Sequence, residues 1–273
     1  MTPDRGDAED FLALTDKIGR ERGFGAGQYK STCMRRRIAV RMRARESPSY
    51  RAYSHLLDTD PSEYDRLLDA LTINVTNLFR NPEAWKEVER KVLPVIWDRS
   101  LRRISCWVAG CASGEEAYTL AILWHRFALQ LGASGQLSRV HILATDIDRA
   151  SLLRAQEGTY AEEGFIEMPA EIRARYFSRE APFAAAAELR PMVRFERRDL
   201  LLDAPPGGGL DLITCRNVII YFDRVSQDAL IRRFYDALAP GGFLVLGKVE
   251  TLLGALRDLF EVVDQRQRIF RRP

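Results

Sequence analysis

From Asp10 to about Leu71, apolar residues recur at helical spacing in short runs. Three turn signals separate these runs: Gly23-Phe-Gly-Ala-Gly27, Glu46-Ser-Pro48 and Asp58-Thr-Asp-Pro61. Alternating β-branched runs are missing, so the pattern predicts a small all-helical domain over residues 1–75. From Ile104 onward, apolar strand-like runs alternate with amphipathic segments, the pattern of an α/β chain with a doubly wound parallel sheet. The expected strands are Ile104–Ala109, Val140–Thr145, Val193–Glu196, Leu210–Cys215 and Phe243–Gly247. Helices are expected over Glu115–Leu129 and over Ser226–Leu238, the latter capped at Asp223 or Ser226 and stopped before Pro240-Gly-Gly242. Asn81-Pro82 supplies a cap followed by proline at the first helical position, which predicts a helix from Pro82 to about Trp97. Residues 158–198 are too many for a simple βα connection and read as an inserted subdomain within a second domain, 76–273.

Composition excludes more than it identifies. The 273 residues are 46% hydrophobic and 29% charged, ordinary for a folded globular chain, and no run approaches the ~18 apolar residues a membrane helix needs. The opening Met1-Thr-Pro-Asp-Arg lacks the apolar stretch of a secretion signal, so the expected location is the cytoplasm. Cys33, Cys106, Cys111 and Cys215 form no C-x-x-C pair and read as reduced structural thiols, while His55, His125 and His141 are scattered singly, so no metal site is expected. The net charge of +3 makes no global case for nucleic acid.

The candidate chemistry lies at strand ends. Gly110 and Gly114 follow the first α/β strand and precede a helix, a position that faces the ligand crevice of an open sheet. The spacing is not G-x-G-x-x-G, no P-loop lysine follows, and Glu115-Glu116 would repel a pyrophosphate. A ligand carrying a cationic amine fits better. Asp146, ending the second strand, stands where an acid takes both hydroxyls of a ribose; the plainer alternative is that Asp146 and Asp148 merely cap the next helix. Together these features suggest S-adenosylmethionine (SAM), which has ribose, adenine and an amino-acid end but no phosphate.

Five blocks occur in one order: Asn74-Val-Thr-Asn-Leu-Phe-Arg80, Trp107-Val-Ala-Gly-Cys-Ala-Ser-Gly-Glu-Glu-Ala-Tyr118, Ala144-Thr-Asp-Ile-Asp148, Cys215-Arg-Asn-Val-Ile-Ile-Tyr-Phe-Asp223 and Leu238-Ala-Pro-Gly-Gly-Phe-Leu-Val-Leu-Gly247. In that order they resemble the signature segments of the CheR family, the chemotaxis-receptor glutamate O-methyltransferases. The resemblance covers essentially the whole chain. It implies a Rossmann-like SAM-methyltransferase domain with a small inserted subdomain, preceded by an all-helical domain, and methylation of glutamates on the cytoplasmic helices of chemoreceptors. It also implies that Asn74, Thr76 and Arg80 reach the SAM site, Glu116 holds the methionyl end, Asp146 takes the ribose, and Asp199, Leu200, Arg216 and Asn217 lie around the adenosine or methionine portion. Arg80 and Tyr221 would be nearest the transferred methyl. From the residues alone, the plainer reading of Arg80 is an interdomain ion pair, and Tyr221, following the Val218-Ile-Ile220 run, reads as a core aromatic. Two departures stand out: Asp199-Leu200 where the family usually has Asn-Leu, and Gly247-Lys-Val-Glu250 where it often has Gly-His-Ser-Glu. A CheR-like enzyme serving a pathway other than swimming, or a SAM-binding regulator without turnover, are the alternatives.

Residues 30–45 hold a dense basic run without an acid. On a helix, Arg37, Arg41 and Arg45 form one row beside an apolar stripe of Met34, Ile38 and Met42. A like-charged row costs helix stability and asks for an acidic partner. With the resemblance, that partner is the acidic helical region of a chemoreceptor; a solvated face is the plainer reading, and the lack of interleaved aromatics counts against nucleic acid. No membrane insertion is expected, and the chain is expected to act as a monomer.

Overall fold

The computed structural model describes residues 5–71, 76–99 and 103–273. Contacts divide the chain into two compact units, one of residues 1–73 with 221–227 and one of 74–220 with 228–273. The second segment of the helical unit thus comes from within the predicted 76–273 domain.

The first unit contains α1 (Arg5–Arg22), α2 (Ser31–Ala44), α3 (Tyr50–Thr59) and α4 (Pro61–Leu71). Each predicted turn signal falls between two of them. Ser49 caps α3 by accepting from Ala52 N at 3.1 Å, and Asp60 Oδ1 accepts from Ser62 N and Glu63 N at the start of α4, where Pro61 needs no partner. Phe11, Leu14, Ile18, Met34, Ile38, Tyr53 and Leu67 are buried in its core. The bridge between Tyr29 and Phe222 ties in the later segment.

In the second unit, α5 (Pro82–Glu87) and α6 (Leu93–Arg99) are joined by a π turn over Val88–Val92. Pro94 supplies the cause: its ring displaces the carbonyl four residues back, and the preceding turn widens to absorb it. Then come β1 (Ile104–Ala109), α7 (Glu115–Gln130), β2 (Val140–Asp146), α8 (Arg149–Glu157), β3 (Thr159–Tyr160), α9 (Ala170–Tyr176), β4 (Phe183–Ala184), β5 (Val193–Arg197), β6 (Leu210–Cys215), α10 (Arg224–Ala237), β7 (Leu238–Leu246), β8 (Glu261–Asp264) and β9 (Ile269–Arg271). Asp223 Oδ1 accepts from Ser226 N, so Asp223 caps α10.

The main sheet runs β5-β2-β1-β6-β7-β9-β8, parallel through β7, with β9 antiparallel to β7 and β8 to β9. The chain winds outward from β1 in one direction and returns to continue in the other, so the order reverses between β1 and β6. That is the switch point of a doubly wound sheet, and ligands bind outside the strand ends there. β7 begins five residues earlier than expected because Leu238 pairs with Leu210 before a register shift. Gly242 permits this: a Cβ there would meet Leu210 O at 2.8 Å.

The 158–198 insertion has no core of its own. β3 and β4 pair as a two-stranded ribbon, and Tyr160, Phe165, Ile172, Tyr176, Phe177 and Phe183 pack into the same apolar cluster as Trp124 and Leu120 of α7. Its last residues, from Val193, form β5 of the main sheet instead. Among the described residues, no helix is long and apolar enough to cross a membrane.

Candidate active site

The glycine loop is built by register. Ala109 pairs with Thr145, so Gly110 leaves the sheet beside Asp146, and the N–H groups of Gly110 and Cys111 both donate to Thr145 O at 2.8 and 2.9 Å. Gly110 has φ +80°, and a Cβ there would meet Val218 Cγ2 at 2.5 Å, so both the turn and the neighbouring strand end exclude any other residue.

Asp146, the last residue of β2, and Asp148, two residues on, make different contacts. Asp148 is the helix cap: its Oδ1 accepts from Ala150 N at 2.9 Å and its Oδ2 from Ser151 Oγ at 2.7 Å. Asp146 does not cap. Its Oδ2 accepts from Ala112 N at 2.8 Å in the glycine loop and its Oδ1 from Asp148 N at 2.9 Å. Each carboxylate oxygen keeps acceptor capacity, as a two-hydroxyl ligand requires. Burial pushes its pKa up, and the backbone N–H groups oppose that.

Glu115 and Glu116 also separate. Glu115 is buried, bonded by Ser113 Oγ, and burial pushes its pKa up to about 7. Glu116 accepts from Thr214 Oγ1 at 2.6 Å and pairs with Arg216 Nη1 at 3.4 Å; burial raises its pKa, against the charges of Arg216 and Arg80.

Arg216 is buried. Besides Glu116, its Nη2 donates to Arg80 O at 2.8 Å and Asn81 Oδ1 at 3.2 Å, and its guanidinium lies 4.7 Å over the Trp85 ring. These bonds tie the 80–85 segment to the end of β6, and Arg216 Nε, buried without a hydrogen-bond partner among the described residues, keeps a donor for the expected cofactor contact. The bond to Asn81 explains why Asn81, at the N-terminus of α5, makes no side-chain cap.

Arg80 sits between two non-glycine residues with left-handed backbones, Phe79 and Asn81, both at φ +57°. The segment is over-determined: Leu78 N donates to Gly164 O, Phe79 N to Thr119 Oγ1, and Asn81 N to Glu167 Oε2. Thr76 is half-buried one turn before it, and Asn74 lies outside the described residues.

At the end of β6, Asn217 is left-handed at φ +61°, and its Oδ1 is buried without a hydrogen-bond partner among the described residues. An orphaned acceptor at the switch point suits a ligand donor such as the amine of SAM. Asp199, after β5, turns its Oδ1 on Leu201 N and Leu202 N, and Leu200 beside it is buried. An aspartate serves that turn as well as an asparagine would.

Tyr221 groups with the helical unit: its carbonyl accepts from Lys30 N at 2.9 Å, and Arg37 lies 5.8 Å over its ring. The arginine row of α2 is corrected by its own neighbours. Arg37 donates to the carbonyls of Ala70 and Leu71, Arg41 is bidentate to Glu63, and Arg45 pairs with Asp60 and Glu63. The acidic partner that the row demands is α4 of the same chain. Arg36, Val40 and Arg43, on the adjacent face, are exposed. Glu250, treated in the sequence only as part of a departing motif, accepts four backbone N–H groups at the crevice; its position four residues past the end of β7 was the signal.

Comparison with known proteins agrees with this architecture. The CheR methyltransferase SAM-binding domain matches residues 74–269, and the CheR methyltransferase all-alpha domain matches 9–72. A chemotaxis protein methyltransferase of Listeria innocua is 34% identical over 254 residues, 93% of each chain. Chemotaxis protein methyltransferase 2 of Pseudomonas aeruginosa is 33% identical, covering 90% of this chain and 88% of its own. An uncharacterized 104.1 kDa protein of Rhodobacter capsulatus is 36% identical over 89% of this chain, which spans only 25% of that protein.

Proposed function

We propose, from the premise that the chain belongs to the CheR methyltransferase family and is a SAM-dependent methyltransferase, that it methylates glutamate side chains on the acidic helical cytoplasmic region of chemoreceptors. What chiefly supports this reading is the placement of Arg80: it lies between the left-handed residues Phe79 and Asn81, and its carbonyl accepts from Arg216, whose Nη1 pairs with Glu116 at the crevice. A site that accepts a carboxylate needs such a cation.

Bound SAM supplies a methyl on a sulfonium. A glutamate has a pKa near ~4.3 and arrives ionised, so the protein needs no strong general base. Its contribution is alignment. Arg80 holds the oxygen that does not attack, since pairing with the attacking oxygen would blunt it. Asp146 takes the ribose hydroxyls and Asn217 Oδ1 the amine. Glu116 lends negative charge to the amino-acid end while Thr214 and Arg216 keep it in place. Thr76, Gly110 and the turn at Asp199-Leu200 complete the walls.

Receptor docking by the helical unit falls on Arg36, Val40 and Arg43, spaced i, i+4, i+7 along α2, since these are exposed. Two cations flanking an apolar residue fit an acidic amphipathic helix.

The deciding experiment is transfer of tritiated methyl from SAM to a panel of receptor cytoplasmic fragments. Base-labile label on a fragment supports the reading. Tight SAM binding with no label on any fragment would turn it towards a regulator without turnover.

A further inference from the structure

The carboxylate of Glu250 occupies a concave cluster of backbone donors. Its Oε1 accepts from Val218 N at 2.9 Å and Ile219 N at 3.0 Å, and its Oε2 from Asn217 N at 2.9 Å and Gly247 N at 2.6 Å. Three successive N–H groups converging on one point form an anion-binding nest, and four donors use the acceptor capacity of a carboxylate in full. Glu250 is 2% exposed, so the group is withdrawn from solvent. The nest spans the ends of two neighbouring strands, β6 through Asn217 to Ile219 and β7 through Gly247. Glycine is required there: a Cβ at Gly247 would meet Glu250 Oε2 at 2.7 Å and Asn217 N at 2.8 Å. Lys248 and Val249, which replace the usual motif residues, are exposed, and Lys248 pairs with Glu83 at the surface at 3.5 Å. The departure therefore spares the clasp.

We propose that Glu250 is a positioning residue for the cofactor, an internal anion that holds Asn217 in its left-handed conformation and so aims the unpartnered Oδ1 into the crevice. The same clasp fixes Val218 against Gly110, setting the spacing between the β1 and β6 loops. Because a buried ligand contact loosened at its support loses geometry rather than chemistry, the effect belongs in cofactor affinity first. The inference rests on the reading that Asn217 contacts the cofactor, and that premise has its own arm in the test.

Affinity for S-adenosylhomocysteine is measured by calorimetry on the full chain, with thermal melting alongside. Asn217→Ala weakens binding by about tenfold or more, the worth of a lost ligand hydrogen bond; unchanged affinity in this variant removes the premise and leaves the clasp as a purely structural feature. Glu250→Ala weakens binding to a similar extent, and added formate, small enough to enter the emptied nest, restores it, while formate does nothing for the wild type or for Asn217→Ala. If Asn217→Ala weakens binding but Glu250→Ala binds normally, or loses affinity that formate does not recover in a folded protein, the positioning role is overturned. Should Glu250→Ala fail to fold, Glu250→Gln keeps the volume and one acceptor oxygen. It is expected to bind several-fold more weakly with a wild-type circular dichroism spectrum, and normal affinity in that variant overturns the proposal equally.

Discussion

Glu63 receives both arms of the Arg41 guanidinium, Nε at 2.9 Å and Nη2 at 2.7 Å, at a position where Glu63 is wholly buried and Tyr53 Oη donates to it at 2.7 Å. The arginine row that looked like a receptor-facing surface is thus the internal lock between α2 and α4.

Glu63→Gln leaves the Arg41 charge without its counter-ion in the helical unit. The expected cost is about 3 kcal/mol, read as a lower melting transition of that unit. The pH dependence has a definite sign. Burial works against ionisation of Glu63, but the hydrogen bonds from Arg41 and Tyr53 outweigh it and hold the carboxyl below its ordinary value. The stabilisation is present above the ordinary carboxylate range, near ~4.3, and is lost as pH falls through the lower native value. Denaturant titrations between pH 6 and pH 3 check both the sign and its disappearance in the variant.

Charge reversal separates the lock from the docking face. Arg36→Glu with Arg43→Glu is expected to weaken receptor-fragment binding, more so at low salt, with little change in melting temperature. Arg41→Glu lowers the melting temperature instead. Unchanged affinity of the Arg36/Arg43 double variant at low salt would move docking off this face.

Glu115 runs the opposite way to Glu63. Burial pushes its pKa up to about 7, so the native state binds a proton the unfolded chain has released, and stability falls as pH rises from about 4.3 to about 7. Glu115→Gln removes that slope, so its stability relative to wild type improves by up to about 3 kcal/mol between pH 5 and pH 8. Urea unfolding at the two pH values tests it.

Asp146→Asn places an amide nitrogen against one of two backbone donors, Ala112 N or Asp148 N, whichever way it turns. Cofactor affinity should fall by at least about tenfold. Asp148→Ala is the contrast: loss of the α8 cap costs about 1 kcal/mol of stability, with a smaller effect on binding. Calorimetry with S-adenosylhomocysteine beside thermal melts distinguishes the two.

Arg80→Ala is expected to lower methyl transfer by about a hundredfold or more, the scale of lost reactant alignment, while S-adenosylhomocysteine still binds within a few-fold of wild type. Parallel loss of transfer and binding would reassign Arg80 to the cofactor alone.

The amino-acid pattern alone located the strands β1, β2, β5 and β6, the glycine loop and the acid after β2, because each is a local signal: a buried strand is a continuous apolar run, and a tight turn leaves glycine at fixed offsets. It missed the β8–β9 hairpin, whose four- and three-residue strands at the sheet edge carry little periodicity. Only tertiary structure decided which charges meet. Arg41 and Glu63 are 22 residues apart, Glu116 and Arg216 are 100, and Glu250 reaches Asn217 across 33. Spacing along the chain says which face a side chain occupies, but a buried charge is settled by whatever the fold brings within hydrogen-bond distance. The same arginines that read as an open surface therefore became an internal lock, and a glutamate in a departing motif became the clasp of the crevice.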